Sequence, residues 1–448
     1  MSNIKIRIES ITSKGEGVGR YNNFVIFVPH SVPGDYVEVS FISKKSSYGR
    51  ALISEIIEPS PFRVKPKCPK ILECGGCQLQ EIEYNQQLKQ KEIILKDSFS
   101  KIAGITSIIQ NSIIPSDLIF EYRNKCQYPI KSKKNNKLSM GYYALRSHDI
   151  INFNNCYLHP PQLNKALKQV KEILEYYKIT GYDEKTHKGS VRHLIGRFSF
   201  KTNDILIGIV TNESILNSKL IGKDIINTVP SCKGVIENIN PNKTNVILGN
   251  KNIILAGENS INEIIGEMKF YYSLSSFFQI NTLCTEKLYN LILQISNLKG
   301  KEVIVDAYSG VGTISLFLAR FAQKVYAIEE IESSINDGIK NASINNIKNC
   351  VFKHGKVENI LPVLLKKTKI DLIILDPPRS GVNSKIIDLI SNIKIPKVIY
   401  VSCNPATLAR DTKIFIKNGY FVSFCQGIDM FPHTYHLETI CLFETNIK

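Results

Sequence analysis

The stretch Val303-Ile-Val-Asp-Ala-Tyr-Ser-Gly-Val-Gly-Thr313 decides the fold class of the C-terminal part of this 448-residue chain. Its β-branched run ends at Asp306, two glycines permit a tight turn, and a helix is predicted to begin near Thr313. Three further short β-rich runs follow, separated by helix-length segments: Val325–Glu329, Leu372–Asp376 and Val398–Val401. This alternation predicts a mostly parallel sheet with helices on both faces, in a Rossmann-like α/β domain.

The turn after Asp306 is similar to a dinucleotide-binding loop but differs in its chemistry. Loops that bind the phosphates of NAD keep three glycines, whereas this one has Thr313 and an aspartate before the turn. A second strand is predicted to end at Glu329, whose carboxylate suits two ribose hydroxyls. S-adenosylmethionine has no phosphate but carries an amino acid end and a sulfonium, which an acidic strand end suits. Together with Asp376, the loop therefore favours S-adenosylmethionine.

Cys403 follows the apolar run Val398–Val401, where a strand gives way to the tight turn Ser-Cys-Asn-Pro405. Because strand ends in an open α/β sheet face the ligand crevice, a thiol there is within reach of a substrate. Asp376-Pro-Pro-Arg379 follows another strand, and its two prolines hold a stiff turn that can lie against a flat ring. The alternatives are a plain buried cysteine and an ordinary strand-end turn.

A cofactor loop, a thiol and a downstream carboxylate predict methyl transfer through a covalent thiol adduct. C5 of uracil is a poor nucleophile, but addition of sulfur to C6 makes C5 an enolate-like carbon that can attack a methyl sulfonium. A base must then remove the C5 proton, and Glu438 in Phe431-Pro-His-Thr-Tyr-His-Leu-Glu438 is the candidate. His433 and His436 are competing bases, and either can instead orient the carboxylate or be structural.

The overall charge favours a polyanionic partner. Lys and Arg number 57 against 40 Asp and Glu, which gives a net charge of +17 and a pI of about 9.2. A positive net charge of this size favours binding to nucleic acid, although a general enrichment of the sequence in lysine also produces such a charge. The length suggests three domains of about 150 residues each, and no apolar run is long enough to span a membrane. Because the N-terminal residues contain no apolar signal core, we expect a cytoplasmic protein, and we expect a monomer.

Two smaller domains are predicted to precede the α/β domain. Residues 1–58 contain short strands punctuated by glycine-rich turns, which predicts a small closed barrel of the OB-like kind. Residues 62–270 predict a central α+β domain that begins with a helix over about 81–103. The apolar face of that helix comprises Leu88, Leu95, Phe99 and Ile102. A hairpin farther along has a basic tip with Lys131, Lys133, Lys134 and Lys137.

Three of the eleven cysteines cluster in Cys68-Pro-Lys-Ile-Leu-Glu-Cys74-Gly-Gly-Cys77. Zinc is the usual partner of clustered cysteines, commonly held by two Cys-x2-Cys pairs. One such pair plus one cysteine requires a distant fourth ligand, which fits a [4Fe–4S] cluster better. Cys126 and Cys156 are the candidates, and the turn-like surroundings of Cys156 suit a ligand better than the strand around Cys126.

In their order along the chain, these motifs resemble the RNA uracil-5-methyltransferase family, in its 23S ribosomal RNA branch, over essentially the whole sequence. The resemblance implies an N-terminal TRAM domain, which is an RNA-binding module. It also implies a class I S-adenosylmethionine-dependent methyltransferase domain over 271–448. The helix at 81–103, with its continuation to about 115, would pack on that domain. The implied substrate is 23S ribosomal RNA, with tRNA as the alternative.

The same resemblance assigns roles to individual residues. Cys403, in the segment 402–411, matches the nucleophile, and Glu438 matches the base. The positions that match cofactor-binding residues are Gln279 in Ser275-Ser-Phe-Phe-Gln-Ile-Asn281, Tyr308, Glu329 and Asp376. The positions that match ligands of the iron–sulfur cluster are Cys68, Cys74, Cys77 and Cys156, whereas Cys126 falls where the family more often has a non-ligand residue.

Four rival functions differ from this pattern at identifiable positions. An RNA cytosine-5-methyltransferase would resemble Pro-Cys-Ser-Gly after its Asp-Pro turn, whereas this chain has Pro378-Arg-Ser-Gly381. An adenine N6-methyltransferase needs an aromatic residue after its Pro-Pro turn and no nucleophile. A tRNA-directed uracil enzyme would normally lack both the barrel and the cysteine cluster. A non-catalytic RNA-binding protein is disfavoured by the presence of both Cys403 and Glu438.

Overall fold

The computed structural model describes residues 4–106, 111–133, 137–145, 147–153 and 155–445. Its N-terminal part is a closed barrel with the strand order β1-β2-β3-β5-β4. The strands are β1 (Ile4–Ile11), β2 (Gly17–Tyr21), β3 (Phe24–Val28), β4 (Tyr36–Lys44) and β5 (Tyr48–Glu58). The inward side chains are Ile6, Ile8, Ile26, Val28, Val37, Val39 and Ala51. The predicted small barrel is confirmed.

The barrel packs on the segment that carries the cysteine cluster. Ile11 and Val32 of the barrel share a small apolar core with Leu79. The carboxylate of Asp35 is fully buried and pairs with the guanidinium of Arg63 at 2.6 Å. Because a buried charge is stable only with its partner, this pair fixes the linker against the barrel.

The helix after the cysteine segment is α1 (Tyr84–Ser98), and it continues into a π-helical turn at Phe99–Ala103. Glu83 caps its N-terminus because its carboxylate accepts hydrogen bonds from the backbone N–H groups of Asn85 and Gln86. Leu95 and Phe99 are fully buried in the core of the C-terminal domain. Ile102, predicted on the same face, is exposed because the π-helical turn shifts the register of the last residues.

The central part is built on a seven-stranded sheet with the order β12-β11-β10-β9-β6-β7-β8. Its strands are β6 (Lys125–Ser132), β7 (Leu138–Tyr143), β8 (Ile150–Asn152), β9 (Val191–Phe198), β10 (Ile205–Thr211), β11 (Cys232–Ile239) and β12 (Lys251–Gly257). Helices α2 (Pro161–Tyr176) and α3 (Ser218–Thr228) share a core with this sheet. The hairpin of β13 (Ser260–Ile265) and β14 (Met268–Ser273) leads to the last domain. Lys134 of the basic tip lies outside the described residues.

The C-terminal part alternates strands and helices, as its sequence predicts. The strands are β15 (Val303–Asp306), β16 (Lys324–Glu329), β17 (Cys350–His354), β18 (Leu372–Leu375), β19 (Lys397–Ser402), β20 (Tyr420–Ile428) and β21 (Glu438–Thr445). The helices are α4 (Thr282–Ser296), α5 (Thr313–Ala319), α6 (Glu332–Ile344), α7 (Val357–Lys367), α8 (Ser384–Ile393) and α9 (Pro405–Lys417). No helix within the described ranges combines the length and apolarity that a membrane crossing requires.

The order of this sheet, β17-β16-β15-β18-β19-β21-β20, determines where a ligand can bind. The first five strands are parallel, β21 runs antiparallel to β19, and β20 at the edge runs antiparallel to β21. The chain leaves β15 toward one edge of the sheet and returns to β18 on its other side, so the strand order reverses between these two strands. Ligands of open α/β sheets bind at the carboxyl ends of the strands beside such a reversal.

Candidate active site

Cys403 lies in the turn between β19 and α9, and hydrogen bonds fix the backbone on both sides of it. The hydroxyl of Ser402 accepts from the backbone N–H of Asn404 at 3.1 Å and donates to its carbonyl oxygen at 3.1 Å. The Asn404 side chain then caps α9 by accepting from the N–H of Ala406 at 3.1 Å. The half-buried thiol is therefore presented from a well-anchored turn.

Glu438 begins β21 beside that turn. In the antiparallel ladder, Ser402, the last residue of β19, is paired with Thr439 of β21, so the turn residue Cys403 and the strand residue Glu438 adjoin this last pair. The two groups are close enough that the charge of Glu438 raises the pKa of the Cys403 thiol. Glu438 is only 3% exposed. The fold thus brings the predicted nucleophile and the predicted base together at one end of the sheet.

The environment of this pair disfavours negative charge. Burial raises the pKa of the Cys403 thiol to about 11, and Glu438 and Asp376 act in the same direction. Burial, with a further contribution from Asp376, also raises the pKa of Glu438 well above its usual value. The thiol of the free protein is therefore mainly protonated at neutral pH, and the surroundings of Glu438 disfavour its ionised form.

Arg379 opposes these effects on both groups. Its charge lowers the pKa of Cys403, to which it also donates a hydrogen bond, and its charge lowers the pKa of Glu438. The side chain extends from the exposed end of the Asp-Pro-Pro-Arg turn after β18. Sequence reasoning noted this turn but did not recognise Arg379 as a partner of the thiol. The only signal was a cation placed three residues after Asp376.

The two competing bases are engaged elsewhere. Nδ1 of His433 lies 3.1 Å from Nε2 of Gln87, and its ring packs on Phe120 with centroids 4.2 Å apart. Burial lowers the pKa of His433 to about 3. Nε2 of His436 lies 3.3 Å from a guanidinium nitrogen of Arg379, and burial and that cation lower the pKa of His436 to about 4. Both rings are thus neutral at pH 7, whereas Glu438 adjoins the last residue pair between β19 and β21, next to the thiol.

A second group of carboxylates lines the ends of β15, β16 and β18. Burial raises the pKa of Asp306 to about 6, and burial with the charge of Asp306 raises the pKa of Asp376 to about 7. Glu329 accepts from the backbone N–H of Gly310 at 3.0 Å, which ties the end of β16 to the loop after β15. The negative charges of these carboxylates repel one another, and a cation bound between them would relieve that repulsion.

The loop after β15 leaves room for a ligand. Gly310 and Gly312 have φ of +54° and +78°, a conformation that L side chains rarely adopt. A Cβ atom at Gly312 would lie 2.8 Å from the ring of Phe352, so only glycine fits there. At Gly310 the nearest atom to such a Cβ would be the ring edge of Phe277 at 4.0 Å. Phe277 is 62% exposed and flanks the open side of the loop.

Buried polar atoms without hydrogen-bond partners indicate that a ligand binds at this edge. One oxygen of Asp306 accepts from the hydroxyl of Ser315 at 2.5 Å, while its other oxygen is buried without a hydrogen-bond partner. The hydroxyl of Ser309 is likewise buried and unpartnered. Orphaned polar groups of this kind are costly unless a ligand or water satisfies them. The edge therefore fits a cationic, hydrogen-bonding molecule such as S-adenosylmethionine.

The remaining predicted cofactor residues are Gln279 and Tyr308. Gln279 is buried in the segment before α4, and its backbone carbonyl accepts from the side chain of Asn124 at 2.8 Å. Tyr308 is half-buried in the loop after β15 and packs against the core of the C-terminal domain. Tyr289 of α4, which sequence reasoning did not single out, donates to the hydroxyl of Thr313 at 2.6 Å.

The four cysteines predicted to hold a cluster are neighbours in space. Burial raises the pKa of Cys77 well above its usual value, and Cys156, Cys74 and Cys68 raise it further, in that order. Thiol chemistry of this kind suits an iron–sulfur cluster. As the side chains stand, however, the described residues contain no group of three His, Cys, Asp or Glu that would hold a metal ion. Cys126 lies inside β6, with its thiol 3.7 Å from the carbonyl oxygen of Gly196.

The cysteine segment and α1 both hold the loop that leads to Glu438. The backbone N–H groups of Gln78 and Leu79 each donate to the carbonyl oxygen of His433 at 3.0 Å. Nζ of Lys91 donates to Asp429 at 2.6 Å, and both side chains are fully buried. This loop is therefore anchored by residues more than 300 positions earlier in the chain.

Comparison with known proteins identifies the family to which this chain belongs. The family described as "tRNA (Uracil-5-)-methyltransferase" matches residues 243–446, and the TRAM domain matches residues 2–52. An uncharacterized RNA methyltransferase of Clostridium tetani is 40% identical over 98% of this chain and 96% of its own length. Another from Fusobacterium nucleatum is 39% identical over 99% of this chain and 96% of its own length.

A solved structure shares the fold over nearly the full length. The Pyrococcus abyssi tRNA (uracil-54, C5)-methyltransferase, in complex with S-adenosyl-L-homocysteine, superposes with a TM-score of 0.78 at 24% identity. The alignment covers 98% of this chain and 100% of that one. The fold, the strand-end thiol and carboxylate, and the relatives converge on one assignment. This chain belongs to the RNA uracil-5-methyltransferase family and is an S-adenosylmethionine-dependent RNA uracil-5-methyltransferase with an N-terminal TRAM domain.

Proposed function

We propose that this enzyme methylates C5 of a specific uridine in 23S ribosomal RNA, with Cys403 as the nucleophile and Glu438 as the base. The observation that supports the residue assignment is the pairing of Ser402 with Thr439, because it brings the end of β19, just before Cys403, beside the start of β21 at Glu438. Neither histidine of the intervening loop competes well, because both have lowered pKa values and lie against other partners.

The residues would act in sequence on one ring. The Cys403 thiolate forms a bond to C6, and the electron pair of the C5–C6 double bond moves to C5 and O4. S-adenosylmethionine, when bound, supplies an electrophilic methyl group to C5. Glu438 then takes the C5 proton, the double bond re-forms, and the bond between sulfur and C6 breaks. Arg379 assists the first step because it favours the thiolate.

We assign the binding of S-adenosylmethionine to Gln279, Tyr308, Glu329 and Asp376. Glu329 ends β16 and Asp376 directly follows β18, so both lie at the carboxyl ends of the two strands on either side of β15, where ligands of this fold bind. Asp306 and Phe277 join this set, since the first has an unpartnered buried oxygen and the second flanks the open face of Gly310.

The choice of 23S ribosomal RNA rests on the cysteine cluster more than on the barrel. A tRNA-directed structure aligns with 98% of this chain, so a barrel alone does not distinguish the two substrates. The test is mass mapping of 5-methyluridine in ribosomal RNA and tRNA from a deletion strain. Loss of one 5-methyluridine in 23S ribosomal RNA is expected, whereas loss only in tRNA would replace this substrate with the alternative.

We further propose that Cys68, Cys74, Cys77 and Cys156 hold a [4Fe–4S] cluster. The mutual proximity of the four thiols supports this ligand set over one that includes Cys126, whose side chain packs within the central core. Protein purified without oxygen should be brown and contain about four irons per chain. Cys126→Ser should retain the iron, and Cys156→Ser should lose it. Stoichiometric zinc without iron would contradict the assignment.

A further inference from the structure

The loop between β18 and α8 is attached to α9 by two neighbouring side chains of that helix. The guanidinium of Arg410 donates to the carbonyl oxygen of Ser380 at 2.8 Å. The carboxylate of Asp411 accepts from the backbone N–H of Val382 at 2.9 Å. Because α9 begins two residues after the predicted nucleophile, these contacts connect the loop that carries Arg379 with the turn that carries the thiol.

Asp411 is fully buried, and both of its carboxylate oxygens accept hydrogen bonds from side chains. Oδ1 accepts from Nε of Arg410 at 2.8 Å, and Oδ2 accepts from the hydroxyl of Tyr400 at 2.7 Å. Tyr400 belongs to β19 and is itself fully buried. Asp411 therefore joins the sheet, α9 and the loop in one hydrogen-bonded group, which restricts the movement of each.

Gly381 lies between the two points of attachment, where the structure leaves no space for a side chain. Its φ is +82°, a conformation that favours glycine. A Cβ atom at this position would lie 2.5 Å from Nη2 of Arg410 and 2.5 Å from Oδ2 of Asp411. With any other residue at this position, either the loop or these two side chains would have to move.

The position of this loop matters because it carries a cation that faces the thiol. Burial and Glu438 raise the pKa of the Cys403 thiol, Arg379 lowers it and donates a hydrogen bond to the sulfur, and Asp376 raises it. These charged groups face the thiol from β21 and from the loop. The side chain of Arg379 is exposed, and its contact with His436 is long at 3.3 Å. Its position therefore depends on the backbone from which it extends.

We propose that Arg410 and Asp411 are positioning residues for methyl transfer, which fix the backbone of this loop so that the guanidinium of Arg379 stays against the thiol of Cys403. Asp411 is the fixed point, since it is buried and bound to Tyr400, and Arg410 extends the attachment to the loop. Both act through Arg379 rather than on the substrate. The proposal deepens the function assigned above and rests on Cys403 being the nucleophile.

The experiment measures the pH dependence of iodoacetamide alkylation of Cys403 in the full chain, without RNA. Gly381→Ala should displace the profile to higher pH and slow alkylation at neutral pH by about threefold or more, which corresponds to about half a unit of displacement. Because this substitution changes no charge, the displacement would come from movement of the loop or of the side chains that hold it.

The matched control is Gly419→Ala, just after the end of α9. Gly419 has φ of +90°, so alanine meets a comparable backbone strain there, but its Cβ atom would have no neighbour within 4 Å. The control should leave the alkylation profile unchanged. Equal profiles for the two glycine variants would overturn the proposal.

Arg410→Met tests the guanidinium itself at a half-exposed position, where the substitution is compatible with folding. It should displace the profile in the same direction as Arg379→Met. Combined with Arg379→Met it should add no further displacement, because both substitutions remove the same contact with the thiol. If its effect persists in that background, Arg410 acts on the thiol through its own charge and the proposal is wrong. An unchanged profile in either single arginine variant also overturns it.

The outcome is separate from that of the proposed function. Alkylation is measured in the absence of substrate and cofactor, so failure of the positioning role leaves the roles of Cys403 and Glu438 and the choice of RNA untouched. A chain that proved to methylate tRNA would still show the displaced profiles.

Discussion

The reactivity of Cys403 depends on the balance of charges around the thiol. Burial, Glu438 and Asp376 raise its pKa, and Arg379 lowers it. This arrangement keeps the free thiol protonated and places the opposing charge of Arg379 on an exposed turn. A thiol of this kind is protected from adventitious oxidation until its environment changes. The same carboxylate that is needed late in the reaction thus restrains the nucleophile early on.

Arg379→Met should raise the pKa of Cys403, because the guanidinium that favours the thiolate is removed. Since a pKa of about 11 lies above neutrality, the thiolate fraction of both proteins rises with pH, and the profile of the variant is displaced to higher pH. Each unit of displacement lowers the thiolate fraction about tenfold at a given neutral pH. The measurement is the pH dependence of iodoacetamide alkylation, followed by mass spectrometry of the peptide that contains Cys403.

The control for this variant is Arg320→Met, which removes an arginine paired with Glu267 on another surface. It should leave the alkylation profile of Cys403 unchanged. If Arg379→Met also leaves the profile unchanged, the guanidinium does not act on the thiol, and its contact with His436 becomes its main role.

Glu438→Gln should separate addition from elimination. An amide cannot accept the C5 proton, so the variant is expected to add to uracil and transfer the methyl group but not to release the RNA. A protein–RNA species that survives denaturing electrophoresis should accumulate, and Cys403→Ser should abolish it. Glu444→Gln, at the other end of the same strand, should turn over normally. Normal turnover of Glu438→Gln would instead make His433, His436 or water the base.

At the scale of elements, α1 belongs to the catalytic unit although it lies far from it in sequence. Lys91 and Asp429 form a fully buried pair that joins α1 to the loop before Glu438. Lys91→Met should lower the free energy of unfolding by about 3–5 kcal/mol, because Asp429 is left buried and unpaired. The measurement is urea-induced unfolding, with Lys96→Met on the exposed face of α1 as the control.

Replacing both members of the pair tests the cause of that loss. Lys91→Met combined with Asp429→Leu leaves no uncompensated charge and should recover much of the stability. If Lys91→Met costs no more than Lys96→Met, the pair does not anchor α1, and the hydrogen bonds of Gln87 to His433 carry the attachment.

The elements that local sequence could predict are those with a strong local pattern. The strand Val303–Asp306 begins and ends where its apolar run and the turn after it predict. The sequence analysis did not single out helix α2 within the central α+β domain, although its buried residues follow helical spacing: Leu163, Ala166, Leu167, Val170 and Leu174.

Tertiary contacts explain what local sequence could not predict at the site. The motif order was enough to propose Cys403 and Glu438, because each follows or begins a recognisable strand. The role of Arg379 depends on how close the turn after β18 comes to the turn after β19, which no local pattern specifies. The same holds for Lys91, since a lysine within an amphipathic helix is ordinarily exposed.

At the scale of the whole molecule, the segment that contains Leu79 contacts both the N-terminal barrel and the loop before Glu438. The side chain of Leu79 packs in the core shared with the barrel, and its backbone N–H donates to the carbonyl oxygen of His433. Removal of the entire barrel would uncover that core, so a deletion would perturb the catalytic loop as well as RNA binding. Substitution of surface charges is therefore the sharper way to test the barrel.

The exposed hairpin between β4 and β5 is the part of the barrel best suited to meet RNA. Lys44 lies over the ring of Phe24 at 5.3 Å and Lys45 over the ring of Tyr48 at 5.6 Å, so charge and stacking surface occur together. If each lysine neutralises one phosphate, the double variant Lys44→Ala/Lys45→Ala should reduce the slope of log K against log salt by about 1.4 in total for single-stranded RNA.

The matched control for this variant removes two lysines from the exposed face of α1, as Lys96→Ala/Lys101→Ala. Because these side chains already pair with Glu92 and Asp97, their loss should change the salt dependence little. Calorimetric binding of S-adenosylhomocysteine should be unaffected in both double variants, since neither touches the strand ends that form the cofactor edge. If the two double variants change the slope of log K against log salt equally, the lysines of the hairpin act only through the net charge of +17, and RNA does not bind preferentially at this part of the barrel.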